Sequence, residues 1–130
     1  MVSMTDLHWL AGLLEGEGSF VNCRHKYPGG REYEQFVIQV CMTDKDPVEK
    51  VGRMLGGVTS EQKHRTKANK PVYRTAVQGA RAIGWMQTLY PLMGVRRRAK
   101  IAECIRAFNE SPGKTSMTKY AKRYMAKEAA

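Results

Sequence analysis

Apolar residues recur at helical intervals near the start of the chain, at Leu7, Trp9, Leu10, Leu13 and Leu14, and predict a first helix capped by Thr5 or Asp6 and stopped at Gly18. The period then changes to two. Ser19 to Lys26 and Tyr33 to Met42 read as strands joined by the turn Pro28-Gly29-Gly30. In the second of them Phe36, Ile38, Val40 and Met42 alternate with Gln35, Val37, Gln39 and Cys41, so the first set is expected on the core side and Gln35 and Gln39 on the other.

Asp44 or Asp46, followed by Pro47, opens a short helix with Val48, Val51 and Leu55 on one face, ended by Gly56-Gly57. Val58 to Arg65 and Val72 to Gln78 predict a second hairpin around a basic loop carrying Lys67 and Lys70. There Tyr73, Thr75 and Val77 alternate with Arg74, Ala76 and Gln78, which points Arg74 outward, with Glu61, Lys63 and Arg65 as a polar row on the partner strand. Residues 80–90 and 95–109 follow as helices broken near Pro91 and Gly94, with Ile83, Met86, Leu89, Ile101, Ile105 and Phe108 as buried positions. Ser111-Pro112-Gly113 marks a linker to a basic tail, a short helix or a flexible arm, that mixes Lys114, Lys119, Lys122, Arg123 and Lys127 with Tyr120, Tyr124 and Met125. The reading is therefore an α+β domain over residues 1–110 and a C-terminal tail over 111–130.

Charge narrows the partners. Lys and Arg number 22 against 12 acids in 130 residues, a formal +10, and such an excess calls for a polyanion, most simply nucleic acid. Cys23, Cys41 and Cys104 have no metal-ligand spacing and leave one thiol over in any disulfide scheme, so they read as reduced, partly buried thiols. The N-terminus leads straight into the first helix without a signal peptide, and no stretch is apolar enough for a membrane span. The expected setting is intracellular, the cytoplasm or nucleoid of a host.

The chemistry concentrates in Leu10-Ala11-Gly12-Leu13-Leu14-Glu15-Gly16-Glu17-Gly18. Gly12 and Gly16 lie four apart on one helix face, where each costs roughly 1 kcal/mol against alanine, so a packing reason is required. A bare face lets a second helix approach with backbones nearly touching. Two such helices side by side would bring both copies of Glu17 together, and clustered carboxylates repel unless a hard divalent cation neutralises them.

This run resembles the signature motif of the LAGLIDADG homing endonucleases, matching at Leu10, Ala11, Gly12, Leu13 and Gly18, with Glu15 and Glu17 where the family usually has aspartates and Gly16 at a small-residue position. The resemblance covers roughly residues 5–109. It implies an αββαββα fold, two hairpins forming one curved antiparallel sheet with the helices on one face. It also implies a sequence-specific double-strand DNA endonuclease from a mobile element in an intron, an intein or a phage, using Mg²⁺ or Mn²⁺ and leaving 3′ overhangs. Glu17, with Gly16, falls at the family's metal position.

After a Pro-containing turn the family places a basic residue, usually lysine, at the active site. Arg96 matches that position best and Arg98 second, within the run Arg96-Arg97-Arg98. A guanidinium there holds a phosphate bidentately and stabilises charge rather than transferring a proton. The family's water-positioning polar residue has Gln39, Thr43 and Asp44 as candidates. His8, His25 and His64 have no ligand spacing and make no case for a histidine-metal nuclease.

One motif provides one carboxylate set, whereas cutting two strands needs two. A twofold homodimer through Leu10, Ala11, Gly12, Leu13 and Gly16 is the economical answer. Base reading is expected from Arg24, His25, Gln35, Gln39, Lys63, Arg65 and Arg74, with Arg98 and Lys100 among the basic residues on DNA. A one-residue slip of register in the first hairpin would exchange Arg24 for His25. The rival class is a non-cleaving DNA- or RNA-binding protein of the same fold, such as a maturase or regulator. A third reading, a structural domain charged only for solubility, predicts no salt-dependent binding to nucleic acid.

Overall fold

The first helix begins earlier than its apolar spacing predicts. Ser3, not Thr5 or Asp6, is the N-cap: its Oγ accepts the Asp6 N–H at 3.1 Å. In the computed structural model, which describes residues 2–30, 32–62 and 70–110, helix α1 runs Met4–Glu17. Strands β1 (Gly18–Lys26) and β2 (Glu32–Met42) follow, then α2 (Lys45–Leu55), β3 (Ser60–Gln62) and β4 (Val72–Gln78). Helix α3 (Gly79–Leu89), a single 3₁₀ turn (Tyr90–Leu92) and α4 (Val95–Glu110) complete the described chain. The αββαββα order therefore holds, with its last helical segment split at Pro91 as proline requires. Lys63, Arg65 and the tail over 111–130 lie outside the described residues.

The four strands form one antiparallel sheet in the order β1-β2-β4-β3, with the first hairpin where its turn residues predict it, β3 and β4 paired as a second, and β2 against β4 at the centre; residues 63–69 between β3 and β4, with Lys67, lie outside the described residues. At the first turn the Gly30 N–H donates to the Tyr27 carbonyl at 2.9 Å. Phe20 stands opposite Ile38, Gly18 opposite Val40, and Ile38 and Val40 opposite Val77 and Thr75, so these six share one face. All are buried, and Leu10 and Leu14 of α1, Val48, Val51 and Leu55 of α2, Met86 and Leu89 of α3 and Ile101 and Cys104 of α4 pack into the same core. The expected inward set of β2 is borne out. Val37, between Val21 and Gln78, is the one hydrophobic residue buried on the outer face of the sheet among the described strands.

The α1–β1 junction is set by close approach. Gly18 is extended, its N–H donates to the Leu14 carbonyl, and a Cβ there would stand 2.6 Å from Leu14 Cδ2 and 2.9 Å from the Leu14 backbone. A side chain at this point would push strand and helix apart, and with them the end of α1.

The cysteines depart in part from expectation. Cys104 is buried, but Cys23 and Cys41 fall at outward strand positions and are exposed, and all three are free thiols. Burial raises the Cys104 thiol from 9.0 to about 11, with Lys100 lowering it and Glu103 and Glu34 adding to the rise. Among the described residues no helix is long and apolar enough to cross a membrane.

Candidate functional site

Helix α1 buries one face in the core and, among the described residues, leaves the opposite, small-residue face open. Leu7, Leu10, Ala11 and Leu14 follow the i, i+3, i+4, i+7 pattern; the last three are buried and Leu7 packs against the same core. Leu10 and Ala11 are thus core residues of the single chain and not free to form a dimer interface, a correction to the sequence reading. The opposite face carries Thr5, Gly12 and Gly16, flanked by half-buried Trp9 and Leu13. A Cβ at Gly12 or Gly16 would meet nothing within 4 Å, so the glycines leave a bare, solvent-facing strip. Trp9 at its edge carries the Lys50 ammonium 4.1 Å from its ring centroid, and Lys50 also reaches Asp6 at 3.4 Å.

At the C-terminal end of this helix the two acids part company. Glu15 turns back into its own chain, where its Oε2 accepts the backbone N–H of Gly94 at 3.0 Å, a contact spanning 79 residues. Gly94 immediately precedes α4, and its carbonyl accepts the Arg98 N–H at 2.9 Å. Glu17 is exposed and has no hydrogen bond or ion pair among the described residues. The Glu15 link therefore ties the C-terminal end of α1 to the turn that precedes α4.

That start is electrostatically unusual. A helix N-terminus carries partial positive charge and ordinarily attracts acids, yet the first turn of α4 holds Arg96, Arg97 and Arg98 and no acid. Arg96 is exposed and lies one helical turn before Lys100, whose Nζ donates to Asn22 Oδ1 of β1 at 2.9 Å; Arg96 thus projects from the flank of α4 that faces β1. Arg97 is half-buried, with its Nε enclosed and without an acceptor among the described residues. Arg98 projects from another flank and is half-buried. Of the three arginines Arg96 alone is exposed.

Lys100 is not a free cation. It is held by Asn22 and, at 3.4 Å, by Glu103, on the helix side of the sheet, which corrects its assignment to DNA. Arg24 is corrected likewise. Strand register puts it on the same side as Phe20 and Asn22, where its Nε pairs with Glu34 Oε1 at 3.2 Å, and His25 takes the outward position.

The outer face of the sheet carries the other predicted readers. His25 and Tyr33 are opposed and stacked, with centroids 5.2 Å apart, and Tyr27 joins them at 4.4 Å from Tyr33. Gln35 Nε2 donates to Gln78 Oε1 across β2 and β4. Arg74 donates to Gln39 Oε1 from Nε at 3.3 Å and from Nη2 at 2.8 Å. Ser60 stands opposite Arg74, whereas Glu61 stands opposite Tyr73 and so belongs to the other face, contrary to the expected polar row. Gln78 and Tyr33 complete this surface; their parity with Gln35 and Arg74 was the signal that could have found them.

Among the described residues no group of three or more His, Cys, Asp or Glu side chains converges as a metal cluster within one chain. The single unpaired carboxylate of Glu17 suits a hard cation only if a second set of oxygen ligands comes from another molecule, a substrate phosphate or a second copy.

No family model matches the chain, and no curated protein matches it. Solved structures do. The homing endonuclease I-CvuI in complex with its target in the presence of Ca superposes with a TM-score of 0.67 at 15% identity, over 85% of this chain and 70% of that one. An archaeal intron-encoded homing endonuclease complexed with DNA gives 0.61 at 18% identity, over 82% and 70%. The I-LtrWI LAGLIDADG homing endonuclease bound to target DNA gives 0.60 at 20% identity, over 85% of this chain but 39% of that one. The chain spans about two thirds of the length of the I-CvuI chains it matches. With the motif helix, the two hairpins and the helices behind the sheet all in corresponding order, the chain has the fold of the LAGLIDADG homing endonucleases.

Proposed function

We propose that this protein is a site-specific, divalent-metal-dependent double-strand DNA endonuclease that works as a homodimer. The observation that carries the reading is the unpaired carboxylate of Glu17 at the end of a helix whose Gly12–Gly16 strip is bare and whose last turn is tied by Glu15 to the arginine-bearing start of α4. Each feature is unfavourable or idle in an isolated chain. Together they make a half-site.

A second copy packed on the glycine strip brings two Glu17 carboxylates to one axis and two sheets to one side, the arrangement a duplex with two scissile bonds requires. Glu17 and the adjoining Gly16 would hold magnesium or manganese. The cation supplies neutralisation of the paired acids and of the phosphate, and lowers the pKa of water at neutral pH. Arg96 donates to a phosphate oxygen and offsets the charge that develops there; the outward residues of β1, β2 and β4 face base edges in the major groove. The formal +10 supplies non-specific attraction to the duplex.

The test is cleavage of a randomised double-stranded DNA library with and without Mg²⁺, comparing the native protein with Glu17→Gln. Cuts that need both Mg²⁺ and Glu17, at an enriched site with twofold character, are expected. Binding without cleavage, equal in the two proteins, would instead assign a non-cleaving DNA- or RNA-binding role to the same surface.

A further inference from the structure

We infer that Glu15 is a positioning residue of this site, and that its carboxylate sets Arg96 against Glu17 by anchoring the first turn of α4 through the Gly94 N–H. The inference rests on the endonuclease reading for its consequence in catalysis, but the anchoring itself does not.

Of the two acids in the motif, Glu15 alone has a partner, and that partner is a backbone donor rather than a base or an arginine side chain. The contact is charge-assisted, at 3.0 Å, and it sits at the positive end of α4, where an anion is stabilising. It also answers a problem created by the sequence. Three arginines in one first turn repel each other and the helix dipole, and no acid within α4's first turn compensates them. Glu15 supplies that compensation from another element.

The close approach depends on the glycine. A Cβ on Gly94 would stand 2.6 Å from Glu15 Oε1 and 3.4 Å from its Cδ, so glycine is what lets the carboxylate come up against the backbone. Glu15 is two residues before Glu17 on α1, and Gly94 two before Arg96. A shift of the anchor is therefore transmitted over one short step to each of the two groups that have to meet one phosphate. Positional losses of about 1 Å in such pairs cost on the order of a hundredfold in rate.

A metal-ligand role for Glu15 makes the opposite prediction for one substitution. Glutamine keeps an oxygen that accepts from Gly94 but is a poor ligand for a hard cation; alanine removes the acceptor altogether. The experiment compares native protein, Glu15→Gln, Glu15→Ala and Glu17→Gln in single-turnover cleavage, DNA binding and amide hydrogen exchange at Gly94. Positioning predicts that Glu15→Gln cleaves within a few-fold of native, while Glu15→Ala loses roughly ten- to a hundredfold in rate with its DNA affinity nearly intact. Gly94 protection should fall about tenfold or more in Glu15→Ala alone.

Glu15→Gln as inactive as Glu17→Gln would make Glu15 a metal ligand and overturn the inference. Should the native protein cut no DNA, the endonuclease reading fails while the anchoring stands or falls on exchange. Gly94 protection lost only in Glu15→Ala upholds the anchoring, and protection unchanged in all variants overturns it.

Discussion

Arg74 of β4 donates twice to the single Oε1 of Gln39 on β2, so one glutamine fixes the plane of the Arg74 guanidinium on the outer face of the sheet. Arg74 is half-buried and retains donors beyond those two. Arg74→Ala is expected to weaken binding to the preferred DNA site by about 1–3 kcal/mol and to relax preference at one base position, where guanine is the natural partner of a planar fork. Gln39→Ala should lower selectivity at that position more than overall affinity, because the cation remains and only its orientation is freed. Site selection from a randomised library with each variant measures both effects.

The bare strip on α1 gives a prediction in which chain stability and assembly move in opposite directions. Gly12→Leu introduces a side chain where nothing lies within 4 Å, and removes a glycine from a helix interior, so the single chain should gain up to about 1 kcal/mol. The proposed dimer should be lost, because two backbones could no longer close on each other. Thermal melting at low concentration together with sedimentation equilibrium separates the two quantities, and a dimer that survives Gly12→Leu unchanged would place the interface elsewhere.

Two further glycines make a matched pair for the fold itself. A Cβ at Gly57 would stand 2.5 Å from the Ala76 carbonyl oxygen, a backbone atom of the central strand, whereas a Cβ at Gly84 on α3 meets nothing within 4 Å. Gly57→Ala should cost about 1–3 kcal/mol by overpacking, and Gly84→Ala should stabilise by up to about 1 kcal/mol. Denaturant midpoints of the two variants are expected on opposite sides of the native value.

The Cys104 thiol, buried against α4's neighbours and held at about 11, links stability to alkaline pH. Its folded value lies above the unfolded 9.0, so between the two the folded chain holds more protons than the unfolded one. The neutral thiol's contribution is complete below pH 9 and is lost as pH rises through 11, roughly 3 kcal/mol at full effect. Urea melts from pH 8 to 11 should show that decline, and Cys104→Ala should flatten it while lowering stability at pH 8. Exposed Cys23 and Cys41 should react with a thiol reagent well before Cys104 does.

How far the site could be read before the fold was known depended on what kind of fact each residue needed. Phe36, Ile38 and Val40 alternate with Gln35 and Gln39, and period two decides their faces without further knowledge. Arg24 and His25 sit at the end of β1, where both are polar and no apolar neighbour pins the register; pairing with Glu34 and Tyr33 decided between them. The spacing of Leu7, Leu10, Ala11 and Leu14 already assigned Leu10 and Ala11 inward once the sheet supplied a core. Lys100 looked free because its partner Asn22 lies 78 residues away. Glu15 and Gly94 are the extreme case, since nothing local to either sequence position predicts a contact between a helix end and a distant turn.

Arg96 supplies the last and most direct prediction. It is exposed, unpaired among the described residues, and set on the β1 flank of α4, two residues after the Gly94 that Glu15 holds. On the proposed function, replacing it by alanine removes a donor to the charge that develops on the phosphate, a loss of about 10²–10³ in cleavage rate for comparable groups. Binding should suffer far less, with the salt dependence of affinity reduced by about one phosphate contact. Arg96→Lys keeps the charge but not the fork, and should restore part of the rate if charge stabilisation is the role and almost none if bidentate geometry is. Arg98→Ala is the internal control: on a different flank of the same helix turn it should change the salt slope without a comparable loss in rate. A larger rate loss for Arg98→Ala than for Arg96→Ala would reverse the two assignments. Single-turnover cleavage at two salt concentrations decides between the two arginines, because a contact to a phosphate away from the cut changes the salt slope of binding while leaving the rate of the bound complex nearly unchanged.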